Sequence, residues 1–61
     1  MKKVKKNIIR PTEQEANEEA ERLINLYLNK NYKLINHFEL KLIDTENGQA
    51  ESVMVGLEFV K

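Results

Sequence analysis

The 61 residues contain no cysteine, only two glycines (Gly48 and Gly56) and a single proline, Pro11. Without cysteine there is no disulfide or thiolate staple, although a domain of this size buries only about 60% of the surface its unfolded chain exposes. Oligomerisation is then the most direct source of further buried area. Two glycines so far apart exclude the glycine-rich loops that cradle phosphates. No apolar run is long enough to cross a membrane. Behind the basic N-terminus only Ile8-Ile9 is continuously apolar, against the roughly 7–15 residues of a secretory core. The chain reads as one soluble, cytoplasmic domain.

Charge of neither sign prevails, because ten basic side chains balance ten acidic ones. The charges are nevertheless sorted along the chain. Lys2, Lys3, Lys5, Lys6 and Arg10 occupy the first ten positions, and Glu13, Glu15, Glu18, Glu19 and Glu21 follow directly. A dedicated nucleic-acid domain would be basic overall. The four lysines are candidate phosphate contacts, giving at most weak, salt-sensitive binding; on an edge strand they also discourage sheet extension. The glutamate-rich stretch offers Glu15, Glu18, Glu19 and Arg22 as an acidic docking face, or simply a solvated helix surface.

Val4 to Ile9 alternates as a first strand, with Val4, Lys6 and Ile8 on one face. Pro11 ends it, since proline cannot donate to a ladder. Thr12 with Glu15 three residues on forms a capping box: the hydroxyl takes an orphan amide and the carboxylate reaches back. From Glu13 the apolar residues Ala16, Ala20, Leu23, Ile24, Tyr27 and Leu28 recur at the helical period, with Leu26 on the flank and Glu18 placed to pair with Arg22. Asn29-Lys30-Asn31 ends the helix, asparagine being second to glycine in left-handed C-terminal positions.

Asn47-Gly48 reads as a two-residue hairpin turn between strands of about 32–45 and 50–60. Such a turn sets Leu42 opposite Val53, Leu40 opposite Val55, Phe38 opposite Leu57 and Asn36 opposite Phe59, all on one face taken as the core. The other face then pairs Ile43 with Ser52, Lys41 with Met54, Glu39 with Gly56, His37 with Glu58 and Ile35 with Val60. Four apolar side chains there (Ile35, Ile43, Met54 and Val60) interrupt what should be a polar alternation. These ten strand positions, Ser52 excepted, are therefore the candidate interface. The fold expected is β-α-β-β: three antiparallel strands, order 1-3-2 favoured over a parallel crossover, with one amphipathic helix on one face.

His37 is the sole histidine. Opposite Glu58 it reads either as a general base or metal ligand, or as a cross-strand polar pair on a half-solvated face. A catalytic zinc needs three placed ligands and a nucleophile needs its base; neither set is present, so no catalytic, metal or cofactor residue is assigned, nor any small-molecule substrate. Gly56, inside a strand, marks strand twist or the close approach of another group.

Eight lysines to two arginines, seven asparagines, five isoleucines and nine glutamates, together with the β-α-β-β order, resemble the small orphan proteins of AT-rich Gram-positive bacteria and their phages, including small sporulation-associated proteins. The resemblance implies a non-enzymatic module, binding and inhibiting or redirecting a host protein. The residues themselves point to a homodimer that hides the second sheet face, with a nucleic-acid accessory protein using the basic first strand as the alternative.

Overall fold

The computed structural model describes residues 2–44 and 50–61, the side chains of Asp44 and Ala50 excepted. Strand β1 (Lys3–Arg10), helix α1 (Glu13–Asn29), strand β2 (Lys33–Asp44) and strand β3 (Ala50–Val60) follow one another along the chain. The strands form an antiparallel sheet in the order β1-β3-β2. The hairpin turn expected at Asn47-Gly48 lies outside the described residues.

Both ends of the helix are set by local chemistry. At the start, the Thr12 hydroxyl accepts a hydrogen bond from the Glu15 amide at 3.2 Å, which satisfies one of the donors that the first turn leaves free. The return bond of the capping box is not among those of the described residues. At the other end Asn31 takes φ 70°. The Tyr32 amide then reaches the Tyr27 carbonyl at 3.0 Å and the Asn31 amide reaches Leu28 at 3.1 Å. This is the Schellman arrangement, and the apolar contact that accompanies it is the edge-to-face packing of Tyr27 on Tyr32, 5.2 Å between centroids.

The helix lies over β1 and β3. Ala16 and Ala20 are the helical residues that become fully buried, because a methyl side chain lets the helix axis come close to the sheet. Leu23, Ile24 and Tyr27 pack around them, and Tyr27 stacks on Phe59 at 4.6 Å. Leu28 is not part of this stripe and is exposed. On the sheet side the core is Ile8 with Val53, Val55, Leu57 and Phe59. Each such side chain contributes about 1.5–3 kcal/mol relative to an exposed one. Val4, Lys6 and Ile8 do share the helix face of β1, paired with Phe59, Leu57 and Val55; Lys6, at the open edge, keeps its ammonium in water.

Strand β2 corrects the expected register. Lys33 and Leu34 pair with Val60 and Phe59, a bulge follows at Ile35, and regular pairing then runs from Asn36–Glu58 to Asp44–Ala50. Leu40 thus meets Met54 instead of Val55, Phe38 meets Gly56 instead of Leu57, and Leu42 meets Ser52 instead of Val53. A shift of one position exchanges the two faces of a strand. Leu34, ahead of the bulge, packs against the core. Beyond it, His37, Glu39, Lys41 and Ile43 lie on the helix side, while Asn36, Phe38, Leu40 and Leu42 turn to the side away from the helix. The physical reason is coverage: past the bulge every residue of this edge strand to Ile43 is exposed, so its apolar residues have no covered face to turn toward.

Candidate interaction surface

Among the described residues, the fully buried core comes from β1, α1 and β3, and β2 adds to it only the partly buried Leu34. From Ile35 to Ile43 every residue of the strand is exposed. That run includes Ile35, Phe38, Leu40, Leu42 and Ile43, the last with 64% of its surface open. A strand this long, flanked by solvent on its free edge and on both faces, is what native proteins normally blunt or cover. The opposite edge is blunted: β1 carries Lys3, Lys5, Lys6 and Arg10 and is followed by Pro11.

The side of the sheet away from the helix is organised in rows. Ile9, Met54 and Leu40 are successive neighbours across the three strands, then Asn7, Gly56 and Phe38, then Lys5, Glu58 and Asn36. The half nearer the hairpin end is apolar. Ile9, Leu40, Phe38 and Leu42 are 53%, 49%, 41% and 39% exposed, with Met54 half-buried among them. The other half is polar, and there Lys3 forms an ion pair with Glu58 at 3.3 Å. Between the halves lies a shallow depression of about 240 Å³ lined by Lys5, Asn7, Asn36, Phe38, Leu57 and Glu58. Ligand pockets are usually about 300–1,000 Å³.

The residues expected to form one interface are divided by the observed register. Met54, Gly56, Glu58 and Val60 lie on the side away from the helix. His37, Glu39, Lys41 and Ile43 lie on the helix side, and Ile35 sits at the bulge between the two arrangements. His37 is therefore paired with Leu57, not Glu58, and the His37–Glu58 pair does not form. Asn36, expected opposite Phe59 in the core, is exposed opposite Glu58. The apolar residues that sequence reasoning placed in the core, Phe38, Leu40 and Leu42, instead supply most of the apolar surface. The bulge was the missing signal: the alternation is regular only from Phe38 to Leu42, and its break at Ile35-Asn36, apolar then polar out of phase with the rest, is the local cue for one extra residue there.

On the helix, Glu15, Glu18 and Arg22 are exposed and Glu19 is half-buried. Arg22 pairs with Glu19, not with Glu18: its Nε donates to Glu19 Oε2 at 3.3 Å and a terminal guanidinium nitrogen bonds the other oxygen. These hydrogen bonds hold the Glu19 carboxyl below the ordinary carboxylate range. Glu18 accepts instead from Gln14 at 3.1 Å. The lysines Lys2, Lys3, Lys5 and Lys6 are exposed but do not form one patch, since Lys3 and Lys5 lie on the side away from the helix and Lys6 on the helix side.

Beneath the start of the helix, where the hairpin runs past the last β1 pair (Arg10–Val53), a second depression of about 240 Å³ is lined by Pro11, Thr12, Glu13, Lys41, Glu51, Ser52 and Val53. Among the described residues, no three His, Cys, Asp or Glu side chains are grouped to hold a metal ion, and no helix is long and apolar enough to cross a membrane. Comparison of the chain with protein-family models, curated proteins and solved structures found no match.

Proposed function

We propose that the protein is a non-enzymatic interaction module, working as a homodimer, whose uncovered β2 strand and adjoining apolar sheet face bind and modulate another protein. The observation that carries this reading is the uninterrupted exposure of Ile35 to Ile43, five of whose nine side chains are large and apolar. Of these, Phe38, Leu40 and Leu42 share one face with Ile9 and Met54, and small soluble domains rarely leave such contiguous apolar surface open without a use for it. The composition and element order, which resemble small accessory proteins of AT-rich Gram-positive bacteria and phages, favour a host protein as the modulated partner. Both depressions, at about 240 Å³, fall below the usual range of about 300–1,000 Å³ for ligand pockets, which favours binding across a surface over catalysis in a pocket. The nucleic-acid alternative is weaker because the lysines divide between two faces and Lys3 is engaged by Glu58.

The decisive comparison is between the wild-type chain and Leu40→Glu, which places a charge in the middle of the exposed run without touching the core. Circular dichroism should show the variant folded. Light scattering across concentration, and capture of host proteins on immobilised chain, should both lose what the wild type does. If self-association and capture are alike indifferent to Leu40→Glu, this surface is not the working one.

A further inference from the structure

Resting on the reading of β2 as the interaction element, we infer that the second copy is joined through the free edge of β2, antiparallel to its counterpart and centred on Leu40, so that two three-stranded sheets become one of six strands.

The argument begins with the length of the regular edge. The bulge at Ile35 interrupts β2, and from there uninterrupted pairing runs from Asn36 to Asp44. The middle residue of that stretch is Leu40. A twofold axis perpendicular to the sheet keeps both helices on one side, and then only residues of the same face can meet across the new edge. Centring on Leu40 satisfies this and overlaps the whole regular stretch, end to end.

The sequence around that centre is self-complementary. Phe38-Glu39-Leu40-Lys41-Leu42 reads apolar, acidic, apolar, basic, apolar, and in reverse the acid and the base change places. Antiparallel pairing about Leu40 sets Glu39 opposite Lys41 of the second copy, and Lys41 opposite its Glu39, on the helix side. On the other side Leu40 meets Leu40, and Phe38 meets Leu42, twice. Centring one residue pair to either side, on Glu39 or on Lys41, would bring like charges face to face at the axis, and directly opposed like charges destabilise a strand pair. Moving the centre to Phe38 or Leu42 leaves at least one of the two charges opposite an apolar or uncharged residue. Of the registers near the middle of the strand, the one about Leu40 alone pairs both charges with their opposites.

The consequence reaches the sheet face. In the six-stranded sheet the apolar rows of both copies adjoin, forming one continuous band with the two Leu40 side chains at its centre and Met54 and Ile9 on either flank. Edge pairing therefore leaves this band open for a further protein, whereas packing face against face would hide it.

Charge reversal tests the register. Glu39→Lys puts lysine opposite Lys41 at two symmetric places, and Lys41→Glu puts glutamate opposite Glu39; each variant alone should dimerise roughly tenfold or more weakly than the wild type. Mixing the two variants restores both opposite-charge pairs, so the mixture should form a heterodimer of wild-type strength, read by light scattering and native mass spectrometry. Met54→Glu, on the central strand, should leave the dimer in place. A wild-type chain that stays monomeric up to on the order of 100 µM overturns the inference, though not the partner-binding surface. So does a dimer indifferent to both reversals, or one that the mixture fails to restore. Dissociation by Met54→Glu with no response to the reversals would show face-to-face packing, again overturning the edge and sparing the surface.

Discussion

The ring of Phe38 lies across Gly56, its directly paired neighbour on β3, and occupies the place where any other residue would carry a Cβ. Three ring atoms would overlap that carbon. A glycine in a central strand ordinarily weakens it, and here the aromatic side chain from the edge strand fills the gap. The close approach marked by Gly56 is thus made by this chain itself, at the boundary between the apolar and polar halves of the exposed face.

Gly56→Ala should therefore destabilise the protein in the presence of Phe38 and not in its absence. In a Phe38→Ala background the added methyl meets no ring, and the backbone gain of about 0.5–1 kcal/mol for replacing glycine emerges. Urea unfolding of the four species gives the coupling, expected at about 1 kcal/mol or more. Independent, additive effects would mean that the ring does not rest on Gly56 in solution.

Leucines of the two faces should behave oppositely. Leu57, buried at 2% exposure, should cost about 2–5 kcal/mol when changed to alanine, against a total of roughly 3–9 kcal/mol for a chain of this length. Leu40→Ala should cost less than about 1 kcal/mol when unfolding is followed at protein concentrations low enough to keep the chain monomeric. Equal losses at both positions would restore the hairpin register in which Leu40 belongs to the core.

Asn31, at φ 70°, holds the helix terminus in a conformation that glycine adopts without a Cβ penalty. Asn31→Gly should leave stability unchanged or raise it by a few tenths of a kcal/mol, and Asn31→Ala should lower it by about 1–2 kcal/mol. Thermal unfolding of the pair decides this. An alanine variant as stable as the wild type would place the end of the helix elsewhere.

These contrasts also mark what the sequence could and could not disclose. The helix was legible at both ends, because Thr12 and Asn31 act through bonds to residues at most five positions away. The inward face of β3 was legible too, since a strand lying between two others under a helix must alternate, and Val53, Val55, Leu57 and Phe59 do. What escaped was β2. Its apolar alternation looked the same whether it served the core or an interface, and only the coverage by the helix, a tertiary property, distinguishes them. The expected interface rested on Ile35, His37, Glu39, Lys41 and Ile43 for its β2 half; the register sets Ile35 at the bulge, turns the other four to the helix side, and leaves Met54, Gly56, Glu58 and Val60 on the expected side beside Asn36, Phe38, Leu40 and Leu42.

Deleting Ile35 probes the bulge directly. The ladder on either side of it, Leu34 with Phe59 and Asn36 with Glu58, becomes continuous without re-pairing a single residue, so Leu34 still faces the core and Phe38 still covers Gly56. The fold should survive, with unfolding free energy changed by about 1 kcal/mol or less. The edge, however, changes character. A bulge twists an edge strand and ends its regular hydrogen-bonding run, and its removal leaves β2 regular from Lys33 to Asp44. Association should then strengthen and extend beyond a defined dimer, seen as rising scattering at concentrations where the wild type is stable. If the deletion variant associates less than the wild type, the bend at Ile35 is shaping the edge for its partner instead of limiting it.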